Sequence, residues 1–306
     1  MEKIIIFYKY IFIEYPKRIL KWQTKVCQDL HLTGRIILAH EGINGTLAGT
    51  ETALAHYKTL MEKHSLFAAI DFKESVGNAN HFPRLRIKIK PEIVNLGQCT
   101  EKISATNGGT HLSPTQAHAL IAQKNDTVVI FDARNACESA IGRFDGAITP
   151  DIAHFRDLPA YIDTHLDLFK DKEVLMYCTA GIRCERASAY LNTKNVAKKV
   201  YQLTGGIQRY TQQFPHGFFR GKNYVFDGRV VMPVTADIMA TCAICSAPCD
   251  DYTNCLHASC NKHFIGCISC LQHLKNCCST HCYTMIYHHN APQRPPLHKN
   301  SYTVLP

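Results

Sequence analysis

Two hydrophobic periods run along this chain, and the changes between them mark its parts. Ile4 to Ile13 is apolar, β-branched and aromatic, broken only by Lys9, and predicts a buried first strand. Pro16 suits a first helical turn, and Ile19, Trp22, Val26 and Leu30 follow at helical spacing. Arg35 to Ala39 and Thr46 to Ala48 read as short strands, with His40 to Gly45 turning between them. Ala53 to His64 reads as a second helix and Arg84 to Lys90 as a last strand. The order βαββαβ predicts a ferredoxin-like α+β sandwich over residues 1–94. A polar linker with Asn107-Gly108-Gly109 is expected over 95–111. From Ser113-Pro114 the period changes. Helices over 115–123, 153–169, 184–192 and 205–214 alternate with strands over 127–131, 173–177 and 199–203. That alternation predicts a parallel-sheet α/β domain over 112–222, with its site in loops at the carboxyl ends of the strands. A connection, a cysteine-rich region to residue 290 and a proline-bearing flexible tail over 291–306 complete the expected order.

Composition narrows the class. Of 306 residues, 46% are apolar and 19% charged, which excludes a disordered chain. No apolar run reaches the roughly 18–20 residues of a membrane span, so no membrane partner is expected. No small-residue cleavage site follows Ile13, so a secretory signal is not expected and the cytoplasm is. The net charge of +9 lies mainly in residues 1–94, with 14 Lys/Arg against 9 Asp/Glu. Such an excess permits a polyanionic partner. Arg84, Arg86, Lys88 and Lys90 alternate with Leu85, Ile87 and Ile89, which puts the cations on one strand face. This stripe suits RNA phosphates, with Phe82 able to stack a base; a solvated face or a guarded edge strand has the same pattern. The sequence carries no mark of an oligomeric state.

There are 15 cysteines, an odd number, and ten lie between Cys242 and Cys282. Without a secretory signal this argues for metal-bound or reactive thiols in a reducing compartment. Cys242-x2-Cys245 and Cys267-x2-Cys270 are two knuckles whose thiolates can meet one tetrahedral zinc ion. Cys255 and Cys260 between them are further candidate ligands. One ion or two, an iron–sulfur cluster, and a free-thiol or disulfide cluster stay open at this point. His257, His263, His273 and His281 are secondary candidates.

The remaining chemistry sits after the strand Glu173 to Tyr177. Cys178-Thr179-Ala180-Gly181-Ile182-Arg183 leads into a helix. Backbone N–H groups at a helix N-terminus and the Arg183 charge favour a Cys178 thiolate. Cys184 is a candidate resolving thiol. No Gly-x-Gly-x-x-Gly follows a strand, so no nucleotide cofactor is expected, and no two-histidine-plus-carboxylate set is evident.

Cys178 to Glu185 resembles the active loop of rhodanese domains. Phe131-Asp132-Ala133-Arg134 to Glu138, Gly142 to Ile148 and Leu203-Thr204-Gly205-Gly206-Ile207 resemble that family's other segments, in its order. The resemblance implies that Cys178 carries a persulfide. Related phosphatases use Cys-x5-Arg, whereas Arg183 stands at Cys-x4-Arg, which disfavours phosphatase chemistry. Asp132, Arg134 and Glu138 are expected to tie this domain together. Over the whole chain, Glu41 to Thr46, Phe82 to Lys88, Cys178 to Glu185 and Pro248 to Cys270 resemble the bacterial tRNA uridine hydroxylases, rhodanese-domain proteins. The resemblance implies oxygen-dependent conversion of the tRNA wobble uridine to 5-hydroxyuridine, with tRNA as partner, molecular oxygen as co-substrate and zinc in a structural role. The alternative is a sulfurtransferase that moves persulfide sulfur to a thiol or RNA acceptor. Ala180 stands where members commonly have glycine, a difference that matters only if the loop needs positive φ there.

Overall fold

A first sheet is built by β1 (Glu2–Tyr10), β2 (Thr33–Ala39), β3 (Gly42–Thr50), β4 (Asp71–Val76) and β5 (Leu85–Ile89), in the order β4-β1-β3-β2-β5. The structure is a computed structural model that describes residues 2–98, 103–227 and 229–294. It divides into two compact units, Met1–Ala136 with Phe144–Phe218, and Cys137–Arg143 with Phe219–Pro306. In the first unit, helices α1 (Pro16–Asp29) and α2 (Glu51–Lys63) cover one face of this sheet. Ile5, Phe7, Ile36, Leu38, Ile43 and Leu47 meet Ile19, Val26, Leu54, Tyr57 and Met61 in that core. Thr50 caps α2 by accepting from the N–H of Ala53 at 3.2 Å. The buried Gln23 accepts from Tyr57 at 2.8 Å, so this polar pair inside the core is satisfied.

One strand assignment changes. The strand over 84–90 was expected to close the βαββαβ order, but Asp71–Val76 does so, antiparallel to β1. Its sequence DFKESV carries too few apolar residues to read as a strand. Leu85–Ile89 is instead a fifth strand, parallel to β2.

The rest of the first unit is the parallel-sheet domain. Its elements are β6 (Thr110–Leu112), α3 (Pro114–Ala122), β7 (Val128–Asp132), α5 (Leu158–Thr164), β9 (Glu173–Tyr177), α6 (Ile182–Asn192), β10 (Lys199–Leu203) and α7 (Gly206–Gln213), while α4 (Ala136–Ala140) passes into the second unit and β8 (Gly142–Phe144) lies mostly in it. The sheet order is β6-β10-β9-β7, all parallel. Ser113 and Gln116 close a capping box at the start of α3. The helix expected over 153–169 is broken into α5 and two flanking 3-10 turns, because Pro159 fits only the first turn of a helix. Asp132 and Arg134 form a fully buried ion pair at 2.7 Å.

The second unit holds β11 (Phe219–Tyr224), β12 (Val231–Pro233), β13 (Tyr252–Asn254), β14 (His263–Ile265), α8 (Ile268–His273) and α9 (Thr280–Tyr287). The backbone of residues 292–294 bonds to Leu256 and Ala258, and residues 295–306 lie outside the described residues. So do residues 99–102 of the expected linker. Among the described residues no helix is long and apolar enough to cross a membrane.

Candidate functional site

Strand β9 delivers Cys178 at its carboxyl end, and the chain turns at once into α6. Gly181 makes that turn with φ +99°, a value only glycine adopts readily; Ala180 does not have positive φ, so an alanine there is tolerated. The turn folds the loop around its own sulfur. The Gly181 N–H donates to Cys178 Sγ at 3.2 Å. Arg183, in the first turn of α6, donates to Thr179 Oγ1 at 3.2 Å. Cys178 is fully buried, and burial alone raises a thiol pKa. Here a hydrogen bond from Cys184, the Arg183 charge and the N–H groups of Arg183 and Ala180 overcome burial and lower it to about 5. Burial and the neighbouring sulfur push Cys184 up, so the pair holds one proton, on Cys184.

Gly205 and Gly206 support the loop from below. Both have positive φ, and Gly206 lies so close that a Cβ there would meet the Cys178 carbonyl oxygen at 2.4 Å. The N–H groups of Ile207 and Gln208 donate to the carbonyls of Cys178 and Thr179 at 2.9 and 3.1 Å.

The roof comes from the first sheet. On β1, Tyr8 donates to Glu185 at 3.1 Å and Tyr10 to the Ile182 carbonyl at 3.3 Å. A Cβ on Gly181 would lie 2.8 Å from the Tyr8 hydroxyl, so that phenol sits directly over the loop. Lys73 of β4 lies over the Tyr8 ring at 4.9 Å and pairs with Asp71 at 3.0 Å; Asp71 also pairs with Arg209 of α7. Glu185 further bonds His111 and Gln202, each at 3.1 Å. Arg186, fully buried, pairs with Glu41 at 2.7 Å and donates to the Gln98 carbonyl at 3.1 Å. Sequence reasoning missed Tyr8, Tyr10 and Lys73. No local pattern marks a contact between residues 8 and 185, and the polar alternation of β4 is the one available signal for Lys73.

Arg84, Arg86, Lys88 and Lys90 are exposed, while Leu85 and Ile87 pack against the helices. Arg86 and Lys88 lie on edge strand β5, across the sheet from β4, and Arg84 and Lys90 flank its two ends.

In the second unit the candidate metal residues separate into two sets. Cys242, Cys245, Cys267 and Cys270 form one, and Cys255 and Cys260 join Cys278 and Cys282 in another. Within each set all sulfurs lie within 4.8 Å of one another. Cys245–Cys267, Cys260–Cys278 and Cys278–Cys282 stand at 3.7, 3.6 and 3.8 Å. A tetrahedral ion with metal–sulfur bonds of about 2.3 Å sets its sulfurs roughly 3.8 Å apart. Both sets therefore fit a metal ion, and the spacings are far too long for disulfides. Cys278 and Cys282 were visible in the sequence but not assigned there. No histidine joins either set among the described residues. His263 instead stacks on Tyr252 and bonds Asn254 at 2.7 Å.

Comparison with known proteins agrees with this layout. Residues 2–93 match the UPF0176 acylphosphatase-like domain family, 113–213 the rhodanese-like domain family and 220–283 the rhodanase C-terminal family. A tRNA uridine(34) hydroxylase of Pseudarthrobacter chlorophenolicus is 39% identical over 281 residues, 88% of this chain and 94% of that protein. The protein of the same name from Cytophaga hutchinsonii is 38% identical over 284 residues, 92% of this chain and 89% of that protein. One from Corynebacterium diphtheriae is 35% identical, covering 92% of this chain and 95% of that protein. With identity at this level along nearly the whole length, a loop built around a Cys178 thiolate and a cysteine-rich end that can hold metal, the chain belongs to the tRNA uridine(34) hydroxylase family.

Proposed function

We propose that this protein hydroxylates C5 of the wobble uridine of tRNA with molecular oxygen, and that the Cys178 loop is the reaction centre. The observation that carries the reading is family membership over 88% of the chain together with an intact Cys178 loop. In this reading Cys178 is the reactive sulfur, as thiolate or persulfide, and the Arg183 charge with the N–H groups of Ala180, Gly181 and Arg183 holds its negative charge in place. Splitting oxygen to make one C–OH bond and one water consumes two electrons and two protons beyond those of the base. Closing a disulfide between the Cys178 thiolate and the Cys184 thiol releases two electrons and one proton; the second proton comes from solvent, and a cellular dithiol would then reopen the disulfide. The hydrogen bond between the two sulfurs supports Cys184 as the resolving thiol. Sulfur transfer is not favoured, because the relatives are named for hydroxylation.

The two cysteine sets would each hold one structural zinc ion, with four sulfurs and no open position. The stripe Arg84, Arg86, Lys88 and Lys90 would contact tRNA phosphates, and a tRNA substrate puts the work in the cytoplasm. The test follows the oxygen atom. Purified enzyme, tRNA and labelled oxygen gas should give labelled 5-hydroxyuridine, and Cys178→Ser should give none. Label from persulfide sulfur entering the base, with none from oxygen, would overturn the reading.

A further inference from the structure

The first sheet has two faces, and α1 and α2 cover one. On the other face, strand register sets Arg86, Arg35, Thr46, Ile6 and Lys73 side by side across all five strands. Neighbouring strands stand about 4.8 Å apart, so this row is roughly 19 Å long. At its β4 end lie Lys73 and Tyr8, over the Cys178 loop. At its β5 end are two arginines. Between them Thr46 and Ile6 are half-buried, and Arg35 and Arg86 are exposed.

The two arginines are anomalous. Arg35 stands directly opposite Arg86 on the parallel strand. Like charges in that position destabilise a sheet. Elsewhere in this domain Lys3, Lys58 and Lys73 each pair with a carboxylate. Among the described residues neither Arg35 nor Arg86 has a carboxylate in ion-pair reach. A guanidinium pair of this kind matches a phosphodiester, which offers several acceptor oxygens and one negative charge.

We infer that Arg35 and Arg86 bind the backbone phosphates of the single-stranded RNA whose target base reaches the Cys178 loop, with the row Arg86–Arg35–Thr46–Ile6 as its track and the buried Lys73, paired with Asp71, marking its β4 end. The inference rests on the tRNA reading above. It goes further in assigning Arg35, which the basic stripe of β5 does not contain, and in placing the strand's path across the open sheet face.

The test is the salt dependence of tRNA binding by the full-length protein. Each phosphate contact to single-stranded RNA contributes about 0.7 to the slope of log K against log salt. Arg35→Gln with Arg86→Gln should lower the slope by about 1.4, so that the affinity lost between 50 and 200 mM salt shrinks about sevenfold. Arg35→Lys with Arg86→Lys should keep most of the slope. Lys17→Gln with Lys21→Gln, on the helix side of the sheet, should leave it unchanged. The glutamine pair should melt no lower than wild type, because it removes a repulsion. Equal slope losses from the α1 and arginine pairs would mean diffuse attraction and overturn the inference, as would an unchanged slope in the arginine variant. Lost binding of oligoglutamate with unchanged binding of RNA would assign the pair to an acidic protein partner and also overturn it. The hydroxylation assay runs in parallel. A wild type that hydroxylates tRNA while the arginine variant keeps its slope defeats this inference alone. A wild type that binds oligouridylate through the arginines yet puts no oxygen on tRNA defeats the functional reading and leaves the inference standing.

Discussion

Arg186→Met should unfold the first unit far more readily than its size suggests. Arg186 is fully buried, and Glu41, its partner at 2.7 Å, keeps 13% side-chain exposure. Removing the arginine strands the Glu41 carboxylate, with Glu92 also only 3.7 Å from the lost guanidinium nitrogen. Breaking one side of such a pair costs about 3–5 kcal/mol. Burial raises the Glu41 pKa even though Arg186 lowers it, so the pair does not fully repay the desolvation of its carboxylate. Removing both charges should therefore cost much less than removing one. Glu41→Gln keeps the oxygen that accepts from the Ile93 N–H at 2.7 Å. The double variant Glu41→Gln, Arg186→Met should recover most of the loss. The single tryptophan, Trp22, stacks on Phe67 within this unit and reports its unfolding by fluorescence. With a urea slope of about 2–3 kcal/mol/M, the single variant should move the midpoint down by about 1–2 M. A loss below about 1 kcal/mol, or a double variant no better than the single, would refute the argument that an uncompensated carboxylate carries the cost.

Activity should have its acid limb near pH 5, the Cys178 value, with no limb at the ordinary thiol range; a pH–rate profile checks this. The sign follows from the lowered pKa: the thiolate persists above about 5 and is lost only below it. Cys184→Ala removes a donor to that thiolate and should move the limb upward. Gly206→Ala should cost at least about 1–2 kcal/mol for the left-handed backbone alone. It should also abolish activity by displacing the Cys178 carbonyl; Trp22 fluorescence reads the stability and labelled-oxygen incorporation the activity. Elemental analysis of fresh protein should find two zinc ions per chain, and chelation should reduce the helical signal of α8 and α9 before Trp22 responds. Protein without metal would end that reading.

The legible parts of the fold were the ones whose burial is local. Glu173–Tyr177 and Lys199–Leu203 have the expected ends, because each is a short run bounded by turn residues. Asp71–Val76 escaped because an edge strand whose residues are mostly polar has the composition of a loop. At the site, the loop from Cys178 to Arg183 was readable as a strand–helix junction, since the groups that lower the sulfur's pKa are neighbours in sequence. Its roof was not. Tyr8 meets Gly181 because two stretches with separate sequence patterns pack together within one unit, and neither pattern encodes the meeting. The cysteines were countable, yet spacing alone could not divide them. Cys255 and Cys260 lie nearer in sequence to Cys245 and Cys267, which belong to the other set, than to Cys278 and Cys282, the partners they join.

That division has a consequence for how the chain is made. The two sulfur sets alternate along the sequence: Cys242 and Cys245, then Cys255 and Cys260, then Cys267 and Cys270, then Cys278 and Cys282. Neither set can be completed while the other's middle segment is missing. During synthesis the first set waits for residue 270 and the second for residue 282. A ribosome that stops before Cys267 leaves two half-sites of two thiols each, both exposed to metal exchange and oxidation. The interleaving thus ties the two sets together: all eight of their sulfurs have partners only when the whole stretch from Cys242 to Cys282 is in place.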